Sequence, residues 1–146
     1  MANVELSFGS CYISTPAETT IAGADTPIKA AGTTTALQSN NFTHSGSNRL
    51  TYTGTTTLYF NVQALISATK AAGSASDVRF AIAKNGSVVT GMSVSRNVSS
   101  TAEGAMACGG IIQMETDDYV EIWVENLDNA DNMTVQEGTL TAFTVG

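Results

Sequence analysis

The sequence predicts an all-β domain, a sandwich or barrel of short antiparallel strands. Three observations carry this. Apolar residues alternate with polar ones at period two in one segment after another, helix signals are almost missing, and turn chemistry recurs between the segments. Composition agrees: 42% of the residues are apolar and only 13% charged. Thr, a strand former, and Gly, Asn and Ser, which supply turns, take the place of the missing charge. At 146 residues the chain has the size of one domain and can bury a core without covalent staples.

Taken in order, Leu6-Ser7-Phe8 and Cys11-Tyr12-Ile13-Ser14 read as strand pieces. Residues 15–35 are rich in Thr, Ala and Gly and hold both prolines. Residues 1–35 therefore read as a first strand with a long excursion, or as an arm that docks on a neighbour, and residues 36–146 as the body. Residues 49–53 alternate before Gly54. In residues 58–66, Leu58, Phe60, Val62, Ala64 and Ile66 share one face at period two, which makes a long central strand. Val78, Phe80 and Ile82 alternate up to Asn85-Gly86, a strong hairpin signal, and residues 88–98 run back. Residues 105–114 form a strand ending at an acidic turn. Val120, Ile122 and Val124 share one side of the next strand, with Tyr119 and Trp123 on the other. After a loop at 128–132, residues 133–145 form the last strand.

Charge excludes several classes of partner. The net charge is −7, with six Lys and Arg in all. No basic stripe exists to neutralise phosphates, so neither nucleic acid nor an anionic membrane is an expected partner. No run of apolar residues is long enough for a membrane-spanning helix. The start, Met1-Ala2-Asn3-Val4-Glu5, has neither a basic nor an apolar leader region, so a Sec-type signal is not expected. Cys11 and Cys108 either pair or serve as small buried hydrophobes; no Cys/His cluster suggests zinc.

No constellation marks a catalytic site. His44 is the one histidine, and no Gly-x-Ser-x-Gly elbow accompanies it. Asp117-Asp118 sits at a turn, where acids are common for conformational reasons. Glu125, Asp128 and Asp131 cluster around a loop and could offer oxygen donors to Ca²⁺, without EF-hand spacing. Glu103 and Glu137 have no evident partners. The glycines of residues 104–110 lack a phosphate-loop Lys. Four Asn-x-Ser/Thr matches, at Asn41, Asn85, Asn97 and Asn132, fit chance in so polar a chain. The expectation is no enzyme and no cofactor.

Residues 45–146 resemble the tumour-necrosis-factor and complement globular-head superfamily. Asn48-Arg49-Leu50-Thr51-Tyr52 followed by Leu58-Tyr59-Phe60 resembles that family's strand, turn and aromatic strand. Cys108-Gly109-Gly110-Ile111-Ile112-Gln113-Met114-Glu115, running through Asp117-Asp118 into Tyr119-Val120-Glu121-Ile122, resembles its Gly-Gly strand, acidic turn and next strand. Gly138-Thr139-Leu140-Thr141-Ala142-Phe143-Thr144-Val145 resembles its closing strand. The sequence departs from the pattern at Thr57, where the family often has glycine, and at Ala107, where it often has an aromatic.

The resemblance implies a ten-strand jelly-roll sandwich that forms a homotrimer. Alternation adds an outward face of Tyr59, Asn61, Gln63 and Leu65 on the central strand. Ala107 and Ile111 extend it on the Gly-Gly strand, and Leu140, Ala142 and Thr144 on the last. All are uncharged, as a threefold axis requires, since identical charges meeting there would be buried together. The expected trimer interface is thus Tyr59, Asn61, Ala107, Ile111, Leu140 and Ala142. A small head with its own Met1, no signal and a weakly charged Thr/Gly-rich surface suggests a structural virion protein of a tailed bacteriophage. It would be a capsid decoration, head-fibre or fibre-tip trimer, with residues 1–35 gripping the major capsid protein or another virion protein. The alternative is a trimeric head that binds a receptor or glycan through loops near residues 128–132 or 73–77.

Overall fold

The computed structural model describes residues 5–145; residues 1–4 and Gly146, and with them the leader reading of the first residues, lie outside it. The described residues are all-β, in two packed antiparallel sheets. One six-stranded sheet has the order β10 (Gly104–Met114), β7 (Leu58–Lys70), β12 (Met133–Thr144), β1 (Phe8–Pro16), β4 (Gly32–Asn40), with β2 (Glu18–Thr19) added on β12. The other has the order β5 (Phe42–His44), β6 (Leu50–Tyr52), β11 (Tyr119–Asn126), β8 (Ser76–Lys84), β9 (Ser87–Val98), with β3 (Ile28–Lys29) added on β11. Apart from the two-residue β2 and β3, ten strands remain, and the chain crosses between sheets as a jelly roll does.

Period-two alternation decides what each strand buries. On β7, Phe60, Val62, Ala64, Ile66 and Ala68 point inward and are buried. They meet Val78, Phe80 and Ile82 of β8 and Val120, Ile122 and Val124 of β11 in one core. Full burial of such a side chain contributes about 1.5–3 kcal/mol. At one end the rings of Phe42, Tyr52 and Phe60 pack with centroids 4.9, 5.2 and 5.4 Å apart. The buried Tyr52 hydroxyl donates to the Thr56 carbonyl at 2.8 Å, so the ring carries no orphan polar group. At the β8–β9 hairpin both Asn85 (φ 51) and Gly86 (φ 79) are left-handed, as a type I′ turn requires.

The N-terminal segment is not an arm beside the head. β1 lies inside the first sheet, with Phe8 opposite Phe143 of β12 on one side and opposite Asn40 of β4 on the other. The boundary expected at residue 35 falls within β4. Two sequence fragments join into one strand because Gly9 lets β1 run close under the aromatic cluster; a Cβ there would sit 2.8 Å from Phe42. Residues 17–31 are the excursion, pinned to the body by Asp25 N–H to Asn126 O (2.9 Å) and Ala30 N–H to Ile122 O (3.0 Å).

Cys11 and Cys108 are both free. β1 and β10 are separated by β12 and β7, so their Cα atoms stand about 14 Å apart at ordinary strand spacing, beyond the ~7 Å reach of a disulfide. Burial pushes the two thiols up to about 12 and about 11 respectively, leaving inert apolar side chains.

Candidate functional site

The two sheets present opposite kinds of outer face. The second sheet carries charge. Glu121, 2% exposed, accepts from Arg49 Nε and from Trp123 Nε1, each at 2.8 Å, and Lys29 Nζ lies 3.5 Å away. Arg79 pairs with Glu125 at 2.7 Å, and Arg49 also stacks on the Tyr119 ring at 3.8 Å. The first sheet carries almost none. Residues directly opposite across antiparallel strands share a face, so the register orders its outer surface into rows. Ile111, Asn61, Phe143 and Phe8 form one row. Gly109, Gln63, Thr141 and Ser10 form the next, and Ala107, Leu65, Thr139 and Tyr12 the third. Leu65 is 60% exposed, Ile111 59%, Tyr59 51% and Phe143 40%. Only at one end does the face meet acids, Glu137 opposite Ser67 and Glu103 bonded to Ser67 Oγ.

Of the residues expected on this face, Tyr59, Asn61, Ala107 and Ile111 lie on it, together with Gln63 and Leu65. Leu140 and Ala142 do not: they are 1% and 0% exposed and point into the core. Leu140 stands opposite Ala64 and Ala142 opposite Val62, both inward-facing, so pairing forces the same direction on them. Thr144, in the same phase, turns back to bond Ser7. Beyond Gly138 the outward residues of β12 are Thr139, Thr141 and Phe143. The β12 alternation is reset by a bulge between Val135 and Glu137. Beside it opens a shallow groove of about 580 Å³ lined by Leu65, Ala105, Ala107, Glu137 and Thr139. Sequence reading also missed the β1 contribution of Phe8, Ser10 and Tyr12, for which the signal was the alternation with Gly9, Cys11 and Ile13.

One polar atom on this face is unsatisfied. Asn61 Oδ1 is shut off from solvent and has no hydrogen-bond partner, the single such side-chain atom among the described residues. Its neighbours in the row, Ile111 and Phe143, are apolar.

The other candidate groups are engaged within the chain. Asp131 pairs with the buried Lys70 at 2.8 Å, and Asp128 accepts from the Asp77 amide at 2.8 Å. Asn129 donates to Ser76 at 3.1 Å, so loops 73–77 and 128–132 lie side by side. Asp131 is thus held by an ammonium rather than offered to Ca²⁺, and no group of three or more His, Cys, Asp or Glu gathers as metal ligands among the described residues. Asp118 fastens the acidic turn to the β8–β9 hairpin, bonding Lys84 Nζ (2.7 Å) and Asn85 (2.6 Å). Arg96, the remaining cation, donates to Ala105 O. His44 Nε2 lies 2.6 Å from Thr34 Oγ1, which also accepts the Asn48 amide at 2.8 Å. Asn48 is left-handed (φ 55) and its side chain bonds both N–H and C=O of Ile122. His44 therefore belongs to a structural clamp, and burial lowers its pKa.

No family model and no curated protein matches this sequence. Solved structures do. Murine APRIL matches with a TM-score of 0.66 at 7% identity, covering 97% of this chain and 100% of that one. The globular domain of zebrafish complement 1qA matches at 0.59 and 10% identity, covering 96% and 98%. The vertex protein P5 of PRD1 matches at 0.58 and 15% identity, covering 96% and 97%. The fold is that of a tumour-necrosis-factor-like jelly-roll sandwich. At such identities the likeness is one of fold.

Proposed function

We propose that this chain is a non-enzymatic structural protein of a tailed-bacteriophage virion, working as a homotrimer that decorates the capsid or caps a head fibre or fibre tip. The observation that carries the reading is the uncharged outer face of the first sheet. A chain of net charge −7 keeps its charges off one broad face and places Tyr59, Leu65, Ile111 and Phe143 there instead. Such a face is suited to packing against copies of itself around a closed axis. The likeness in fold to the PRD1 vertex protein supports a place on a virion. Attachment to the major capsid protein, or to another virion protein, is assigned to the exposed excursion of residues 17–31. Light scattering or native mass spectrometry tests the assembly: a three-chain mass is expected, and a single-chain mass overturns the reading. Mass spectrometry of purified particles tests the location, and particles lacking the protein would exclude it.

A receptor- or glycan-binding head is the second reading, favoured by the meeting of loops 73–77 and 128–132 at one end of the sandwich. A glycan array with and without Ca²⁺ separates the two; silence in both conditions removes the second.

A further inference from the structure

The unsatisfied oxygen of Asn61 lies within the most apolar row of the uncharged face. On β10 it stands opposite Ile111, and on β12 opposite Phe143, with Phe8 next along the row. Its Oδ1 is shut off from solvent and has no partner. An apolar side chain would fit this row without leaving a polar atom unpaired, and a buried acceptor without a partner is costly. An amide has one property that suits a self-assembling face: it carries both a donor and an acceptor. Copies of it can satisfy one another, whereas copies of a carboxylate or ammonium repel. Its terminal torsion is broad, so a turn about χ2 can carry Oδ1 from its shielded position toward the surface.

We propose that Asn61 is the register-setting polar group of the trimer, each copy's Nδ2 donating to the Oδ1 of the next in a closed ring of three. This rests on the trimer reading above and names the group at its axis. Ile111, Phe143 and Tyr59 of each copy surround the ring and exclude water. The positions that face Asn61 from β10 and β12, namely Ile111, Gln113, Phe143 and Thr141, carry no charge. A polar group alone in an apolar contact fixes register, because any other alignment strands it.

Asn61→Asp tests the ring, because it keeps the shape and replaces the amide with a carboxylate. Three carboxylates brought together repel when ionised, and each titrates from an ordinary value of about 3.9 upward. Native mass spectrometry or light scattering of the full chain is read at neutral pH and near pH 4. The expected result is a three-chain wild type at both pH values. The variant should be a single, folded chain at neutral pH and regain the three-chain mass in acid. Circular dichroism confirms that the variant keeps its strand signal; Asn61→Ser, which keeps a donor and an acceptor, should retain the trimer and covers the case of a misfolded Asp variant. A wild-type trimer with an Asn61→Asp variant that stays trimeric at neutral pH overturns the ring alone. So does loss of the trimer in Asn61→Ser. A wild type of single-chain mass overturns the trimer reading itself, and the ring with it.

Discussion

At the residue scale, Glu121 shows how this chain tolerates a carboxylate that is almost wholly buried. Its two oxygens are claimed by Arg49, Lys29 and Trp123, so its charge is both paired and hydrogen-bonded. Arg49→Met would leave that carboxylate under-compensated. Because Arg49 is itself 36% exposed, solvent screening reduces the loss, and a cost of about 1–3 kcal/mol is expected. Urea unfolding measures it. Trp123 is the only tryptophan, so its emission reports the change in the same titration. His44 behaves in the opposite sense to a group that gains from charging. Burial holds its folded pKa below the ordinary histidine value of about 6.5, so as pH falls the unfolded chain takes up the proton first. Stability should be full above pH 6.5, decline as pH falls through the lowered folded value, and then level off. Unfolding midpoints followed from pH 7.5 downward should show this decline in wild type and its absence in His44→Gln. A wild-type midpoint flat over that range would exclude the effect.

At the element scale, the long strands were legible in the sequence because one of their faces is strongly apolar. Leu58, Phe60, Val62, Ala64 and Ile66 admit one phase only. The last strand was not legible in this way, because both phases are apolar: Leu140 and Ala142 on one side, Phe143 and Val145 on the other. Alternation alone gives the two faces but not which one meets the core. The answer came from pairing with β7, a long-range fact. β1 was obscured for a related reason, since its inward positions are Gly9, Cys11 and Ile13, two of them small. Of the six residues expected at the interface, the four on β7 and β10 point outward from the sheet as the alternation has them, and the two on β12 point into the core. Gly109 carries a further consequence for β10. A Cβ there would meet the Val62 carbonyl and approach Gln63 Cα at 2.9 Å. These are backbone atoms, which cannot swing aside as a side-chain tip can. Gly109→Ala should push β10 off β7 and cost about 1–3 kcal/mol. Thermal unfolding would show it, while hydrogen exchange should localise the loss to these two strands.

At the scale of the whole molecule, the two outer faces divide the chain's work. Charges sit on the second sheet and at the ends, where they are paired or wet, and the first sheet keeps a face of aromatic, aliphatic and uncharged polar groups. Two leucines separate folding from assembly. Leu140→Ala empties a core position and should cost about 2–5 kcal/mol of stability. Leu65→Arg alters a residue that is 60% exposed, so the isolated fold should shift by no more than about 0.5 kcal/mol. In the proposed trimer, however, three guanidinium groups would be brought into one contact, and the three-chain mass should be lost. If Leu65→Arg leaves that mass intact, Leu65 is not in the interface.

The place of β1 also governs when the molecule can form. It lies beside β12, and Ser7 bonds Thr144 across 137 residues of chain. β1 can therefore pair with β4 early in synthesis, but its other edge has no partner until β12 has emerged. Pairings of such separation are slow to close, because the entropy of the intervening loop is lost before the contact is gained. Until β12 emerges, Phe8, Tyr12 and Ile13 remain without their neighbours on that strand. A nascent chain arrested before residue 133 should accordingly keep the β12-facing edge of β1 unpaired and be prone to associate through it. Emergence of β12 is then the event that completes the first sheet, and with it the outer face proposed for assembly.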